Sequence, residues 1–296
     1  MNIRFILNPK SGHNRRRPWL AGKIDKFMLK HKLNADLRLT EAPAHATSLA
    51  REAIALGADR VVAVGGDGTL NEVARALVHT GTTLGLVPCG SGNGLALHLG
   101  LPLDLDKALA LSAAQEGRAD LIDSGEANGH FFFNVMGLGL DAEVSRRFNQ
   151  LQKRGFIAYA RTAWEALQEH RAERVSFYAD NNAQNPTERE ICLLSIANSD
   201  QYGNNARIAP GARVNDGALD LVAVHRVSLQ GAAAVSARLF LGTINASPHV
   251  SVLRGSSFSI KRQQEGIIHT DGEHHQTSRQ IEVRVHPGSL RIWRRG

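Results

Sequence analysis

The sequence predicts an N-terminal α/β domain on a doubly wound, mostly parallel sheet, followed by a C-terminal antiparallel, β-sandwich-like domain. Three observations carry this reading. Short apolar runs alternate with helical patterns up to about residue 120. Glycine-rich loops follow the first, third and fourth of those runs. Beyond that point an Asn-Gly hairpin signal and a series of short strand-like runs take over.

Ile3 to Leu7 reads as the first strand, ending in the loop Asn8-Pro9-Lys10-Ser11-Gly12. A helix is expected from Pro18, because proline suits the first helical position. Ala35 to Leu39 is the second strand and Val61 to Val64 the third. Four apolar residues in a row imply a strand buried on both faces. Thr83 to Val87 is the fourth, followed by Pro88-Cys89-Gly90-Ser91-Gly92-Asn93-Gly94. Ligands bind beyond the carboxyl ends of such strands, so the three loops should open on one edge. In the second half, Asn128-Gly129 signals a hairpin between Ile122 and Phe131 to Phe133. A helical stretch is expected from Val144 to Leu167. Strand-like runs cover 174–179, 191–198, 218–225, 250–260, 266–270, 280–286 and 290–293, and a helix covers 228–242. The domains expected are 1–122 and 123–287, with the last strand, about 288–296, returning to the first.

The chain has 296 residues, enough for two cores, and no apolar run long enough to span a bilayer. The opening residues lack the layout of a signal peptide. Cys89 and Cys192 form neither a disulfide framework nor a zinc spacing, so a cytoplasmic protein is expected. The formal charge of +7 suits acidic substrates or an anionic membrane surface. Aromatic residues make up only 5% and no basic stretch is interleaved with them, which argues against nucleic acid. Arg15 to Arg17, and Arg291 with Arg294 and Arg295, form two basic clusters.

The turn after the third strand is the most informative segment. Gly65, Gly66 and Gly68 let the backbone turn sharply and approach a ligand. Thr69 and Glu72 are spaced as a capping box, which places a helix start at Thr69. A helix start favours an anion. Asp67 is then out of place as an anion binder, and fits if it handles magnesium or a proton beside bound phosphates. That combination points to phosphoryl transfer. Ser11, Thr69, Ser91 and Asn93 offer hydrogen bonds to phosphate oxygens, with helix capping as the plainer role. No Walker-type phosphate loop is present. Gly137-Leu138-Gly139-Leu140-Asp141-Ala142 imitates a dinucleotide fingerprint but follows a hairpin, so it is discounted. His269, His274 and His275 lack zinc spacing and are read as metal-free. Cys89 is read as a small buried residue.

These segments together resemble the diacylglycerol kinase catalytic-domain family, which includes bacterial soluble lipid kinases, sphingosine kinases and ceramide kinases. The matching stretches are Asn-Pro-Lys-Ser-Gly at 8–12, Thr-Glu-Ala-Pro-Ala-His-Ala at 40–46, and Gly-Gly-Asp-Gly-Thr-Leu-Asn-Glu-Val at 65–73. Gly-Ser-Gly-Asn-Gly-Leu-Ala at 90–96, Gly-Leu-Gly-Leu-Asp-Ala at 137–142, Pro210 to Asp220 and Asp271-Gly272-Glu273 complete the set, in family order. The resemblance implies an ATP- and magnesium-dependent lipid kinase, with the two domains facing each other across a cleft. Asn8, Ser11, Thr40, Gly65, Gly66, Asp67, Gly68, Thr69, Glu72, Ser91 and Asn93 would line the ATP site, with Glu273 beside them on the acidic turn. Family members differ in whether the residue matching Asp271 or Asp67 is the base; Asp271 is favoured here, with Asp67 serving magnesium and phosphate. Asp216, with the carbonyls of Arg213 and Ala218, would hold a structural magnesium, against a plain Asx turn. Asp141 would contact the substrate head group, against a helix N-cap. Many bacterial diacylglycerol kinases carry Gly-Thr-x-Asn-Asp where this chain has Gly-Ser-Gly-Asn-Gly, so Gly94 widens the candidate substrates to sphingoid-like and other lipid alcohols. The partners implied are a lipid alcohol and an anionic membrane surface touched peripherally, and a homodimer is allowed. The rivals are an NAD kinase-like enzyme, which shares Gly-Gly-Asp-Gly, and a non-catalytic lipid- or nucleotide-binding protein.

Overall fold

The computed structural model describes residues 1–140, 172–180, 182 and 184–295. Asp141 and the helical stretch expected from Val144 to Leu167 lie outside these residues. The chain forms two compact units, Met1–Ile122 with Gly288–Gly296, and Asp123–Pro287.

The first unit alternates strands and helices. These are β1 (Ile3–Leu7), α1 (Leu20–Lys30), β2 (Ala35–Leu39), α2 (His45–Ala55), β3 (Arg60–Gly65), α3 (Asp67–Leu77), β4 (Thr83–Pro88), α4 (Gly94–His98) and α5 (Leu105–Ala113). Strand order is β2-β1-β3-β4, all parallel, and Ile292 near the C-terminus pairs in parallel with Leu84 of β4. Every residue of β1 and β3 is buried, as expected for strands covered on both faces. Phe5, Leu7, Val62 and Val64 pack against Leu20 and Ile24, one turn apart on α1, and against Leu109 of α5. Each such side chain contributes about 1.5–3 kcal/mol through burial. The chain runs from β1 to β2 on one side, then returns past β1 to β3 on the other. Strand order therefore reverses between β1 and β3, a topological switch point, and the loops leaving the two strands meet at their C-terminal ends.

Helix α1 starts at Leu20, two residues after the proline expected to open it, and a 3-10 turn, Gly12–Arg16, occupies the preceding loop. Helix α3 starts at Asp67 with Gly66 as its N-cap, so Thr69 lies inside the helix and no capping box forms. The turn after β3 is tight enough that helical geometry begins two residues earlier than the Thr-x-x-Glu spacing suggests.

The second unit is β-rich. Its strands are β5 (Arg118–Ala127, entering from the first unit), β6 (His130–Phe132), β7 (Val135–Gly139), β8 (Glu173–Ala179), β9 (Thr187–Ala197), β10 (Leu219–His225), β11 (Val250–Gly255), β12 (Ser257–Arg262), β13 (Gly266–Thr270), β14 (Glu273–Thr277) and β15 (Gln280–Arg294, which runs on into the first unit). The pairings among β7 to β14 are antiparallel. Strand β9 pairs β8 through its first half and β7 through its second, while β10 lies along its other side. Phe132, Phe177, Leu221, Phe258 and Ile281 meet in one core. Helix α6 (Leu229–Leu241) is capped by the Ser228 hydroxyl and ends at Gly242 in the left-handed region, φ +68°.

Two runs divide differently from expectation. The run 250–260 is two strands, broken at Ser256, whose N–H and hydroxyl both donate to Asp180 Oδ1. The runs 280–286 and 290–293 are one strand, continuous through Pro287-Gly288.

Candidate phosphate-binding loops and a fixed carboxylate

In the first unit the three glycine-rich loops interlock. Asn8 Oδ1 accepts the Lys10 N–H at 2.9 Å, which turns the chain after β1. The Ser11 hydroxyl then accepts the Gly66 N–H at 2.9 Å, tying the first loop to the second. The third loop joins through His13 N–H to Cys89 O at 2.9 Å and Cys89 N–H to Gly65 O at 2.7 Å. These contacts leave no room for side chains. A Cβ on Gly12 would lie 2.4 Å from Cys89 O, and one on Gly90 would lie 2.7 Å from Gly66 Cα. Gly12 also has φ +46°, a region glycine enters without penalty.

Asp67 fastens the second loop to the third. Its Oδ2 accepts the Asn93 N–H and its Oδ1 the Gly94 N–H, each at 2.9 Å, so it caps α4 from another helix. Burial pushes the Asp67 carboxyl above the ordinary carboxylate range, and the N–H donors offset this only in part. Asn93, at φ +51°, is turned inward: its side chain accepts the Gly90 N–H and donates to Gly90 O, both at 2.9 Å. Asp67 and Asn93 thus hold backbone first.

The other expected nucleotide residues divide. Thr69 is 3% exposed, and its buried hydroxyl has no hydrogen-bond partner among the described residues. Glu72 Oε2 accepts the Ala46 N–H at 3.0 Å, and Thr47 donates to Glu72 O at 2.8 Å, so Glu72 joins α3 to the start of α2 instead of closing a box with Thr69. Thr40 is buried, its N–H donating to Leu7 O at 2.9 Å. Ser91 is half-buried in the third loop. Gly68 is exposed, with open space where a Cβ would stand. An accessible helix start, close backbone packing at the glycines and an orphaned threonine hydroxyl suit phosphate groups. Asn14 was not anticipated: buried at 3% exposure, it donates to Asn8 O at 2.9 Å and anchors the first loop.

In the second unit Asp271 sits at the tip of the β13–β14 hairpin. Asp271 (φ +49°) and Gly272 (φ +85°) both have positive φ, as a two-residue Asp-Gly turn requires. Its carboxylate accepts the N–H groups of Phe133 at 2.7 Å, Asn134 at 3.0 Å and Val135 at 2.9 Å, and its own N–H donates to Val135 O at 2.9 Å. Asn198, 1% exposed, supports the same loop by donating to Phe133 O at 3.0 Å and Asp123 O at 2.9 Å. A lone asparagine closing the run Phe131-Phe132-Phe133-Asn134 was the only local hint of this polar junction. Glu273 is exposed at the start of β14.

The 210–220 loop contains the Asx turn. Asp216 Oδ1 accepts the Ala218 N–H at 3.3 Å, an Asx turn, and Oδ2 pairs with Arg254. Arg213 is exposed, and buried Asp123 takes the Gly217 N–H at 2.8 Å. A metal here would compete with a guanidinium already in place. No group of three or more His, Cys, Asp or Glu residues suited to a metal occurs among the described residues. His269 and His274 are direct cross-strand partners, whereas His275 is paired with Ile268 and projects to the opposite face.

Comparison with known proteins agrees with this architecture. A family model, diacylglycerol kinase catalytic domain, matches residues 2–127, and a second, YegS C-terminal NAD kinase beta sandwich-like domain, matches residues 134–294. The diacylglycerol kinase of Bacillus subtilis (strain 168) is 28% identical over 275 residues, covering 92% of this chain and 89% of that protein. A "Probable lipid kinase YegS-like" protein of Xanthomonas axonopodis pv. citri (strain 306) is 32% identical over 300 residues, covering 98% and 94%. Two Bacillus anthracis str. Sterne crystal structures share the fold, each covering 98% of this chain and 96% of theirs. One superposes with a TM-score of 0.78 at 21% identity; the other, a diacylglycerol kinase, with 0.68 at 19%. With both units matched in order across nearly its whole length, the chain belongs to the diacylglycerol kinase catalytic-domain family of lipid kinases and carries that family's YegS-type β-sandwich-like C-terminal domain.

Proposed function

We propose that this protein is an ATP-dependent lipid kinase that transfers the γ-phosphate to a hydroxyl of a lipid alcohol. The observation that carries the reading is the cradle of three interlocked loops, whose backbones touch at Gly12, Gly66 and Gly90 and leave Gly68 and the start of α3 accessible. The 65–69 backbone receives the nucleotide phosphates, with Ser11 and Asn93 keeping the loops in register. Magnesium, bound with ATP, would supply charge neutralisation, and Asp67 is the carboxylate beside it. Asp271 accepts the proton of the lipid hydroxyl as that oxygen bonds to the γ-phosphorus and the bond to the β-phosphate oxygen breaks, releasing ADP and a lipid phosphate. Orientation of Asp271 by three N–H donors supports this role, because a base must be aimed before it can act. Most of the acceleration comes from positioning and charge neutralisation. The acceptor lives in a bilayer, so the protein docks peripherally on anionic membrane through basic residues such as the exposed Arg15 and Arg16. Salt-sensitive sedimentation with anionic vesicles checks the docking.

The test is incubation with labelled ATP, magnesium and separate micelles of diacylglycerol, monoacylglycerol, sphingosine and ceramide, beside Asp67→Ala and Asp271→Asn. Label in one lipid class, lost in both variants, supports the reading and names the substrate. Label in none of them, with NAD phosphorylated instead, would move the protein to NAD kinase-like chemistry. ATP bound with no turnover on any acceptor would make it a binding protein.

A further inference from the structure

Histidines flank the Asp271 hairpin, and the function proposed above does not use them. His275 on β14 lies diagonally across the hairpin from Thr270, the residue preceding Asp271. Its Nε2 is hydrogen-bonded to the Thr270 hydroxyl at 2.8 Å, and Thr270 is fully buried. The other side of the His275 ring meets His130 of β6, with ring centroids 3.7 Å apart and planes inclined by 15°. β6 leads directly into Phe133, Asn134 and Val135, whose N–H groups hold the Asp271 carboxylate. The contacts therefore close a ring: Asp271 to the 133–135 loop, back along β6 to His130, across the stack to His275, and through Thr270 to Asp271.

We propose that His275 is a positioning residue for the Asp271 carboxylate, gripping the hairpin through the Thr270 hydroxyl while stacked on His130. The β13–β7 ladder and the Gly272 N–H to His269 Nδ1 bond at 3.3 Å fix the backbone of the turn, and the Thr270 hydroxyl is the point where β14 holds the residue before Asp271 by a side chain. The N–H groups of the 133–135 loop orient the carboxylate only while loop and hairpin keep their spacing, and the imidazole bridges the two. The inference deepens the kinase reading and rests on it for its catalytic consequence, but not for its geometry.

The test uses the full chain with Thr270→Val, His275→Phe, His275→Gln and His130→Ala. Thr270→Val and His275→Phe keep volume or ring while removing the hydrogen bond; His275→Gln keeps a polar group at the reach of Nε2. Two quantities are read: amide exchange at Phe133, Asn134 and Val135, and kcat with KM for ATP on the active lipid. Thr270→Val and His275→Phe should accelerate exchange at these amides and lower kcat, each by about tenfold or more, with KM for ATP unchanged. His275→Gln should restore much of both, and Thr270→Val combined with His275→Phe should be no worse than either alone. Wild-type exchange at 133–135 in the first two variants would overturn the proposal, whatever the activity. Faster exchange with wild-type kcat, where Asp271→Asn is inactive, would also overturn it. If Asp271→Asn keeps wild-type kcat, the base assignment fails, and the exchange data alone judge the ring.

Discussion

Replacing Asp67 with alanine tests whether this carboxylate is a clamp between loops or a direct metal ligand. The substitution removes both acceptors of the Asn93 and Gly94 N–H groups. Each buried N–H left without a partner costs about 1–3 kcal/mol. Water reaches part of this half-buried site, and removing a carboxylate that burial disfavours returns some stability. A net loosening of about 2 kcal/mol of the 90–94 loop remains, equivalent to about 30-fold in an equilibrium constant. Asp67→Asn keeps one acceptor and should lose roughly half of that free energy. Calorimetric titration with a non-hydrolysable ATP analogue, in magnesium and in EDTA, separates the two roles. A clamp predicts about the same fold loss of affinity in both buffers, and none for adenosine. An affinity loss seen only with magnesium, or Asp67→Ala binding as tightly as wild type, would refute the clamp.

Three further outcomes follow from the same geometry. Gly12→Ala forces a side chain into the left-handed region and onto Cys89 O, so chemical denaturation of the first unit should show a loss of more than about 2 kcal/mol. Burial pushes the Cys89 thiol up to about 11, so thiol labelling at pH 8 should leave Cys89 unmodified until denaturant is added. Burial of Glu126 opposes its charge, but the hydrogen bonds from Arg284 and His286 outweigh it and hold its carboxyl below the ordinary range. A depressed folded value means the stabilisation is present above the unfolded value and lost as pH falls through the folded one. Glu126→Gln should therefore lower stability at neutral pH by up to about 1 kcal/mol and flatten the loss below about pH 4.5, as followed by denaturant midpoints across pH.

Much of the fold was legible locally. Residues 3–7 and 35–39 were bounded as the structure has them: the first is a buried, mainly apolar run, and the second alternates apolar with charged residues on a half-exposed edge strand. Asn128-Gly129, with φ values of +46° and +88°, marked its hairpin through a conformation few residue pairs adopt readily. Short helices escaped the pattern: α4 and α5 span too few turns for a period to stand out. The boundary at Ser256 escaped because a strand break made by Asp180 leaves no mark in the run itself.

By itself, the sequence determined the order of the four parallel strands along the chain, the glycine positions where loops must touch backbone, and the family to which these belong. Each of these depends on residues a few places apart, through periodicity or permitted φ and ψ. What Asp67, Glu72, Asn93, Asn198 and Asp271 touch was decided only by the tertiary structure. Asp271 reaches donors 136 to 138 residues away, Glu72 turns from Thr69 to the start of α2, and Asp67 spends both oxygens on the 93–94 backbone. A polar side chain takes the unsatisfied N–H that folding brings nearest, and which one that is depends on strand order and loop packing, not on spacing along the chain.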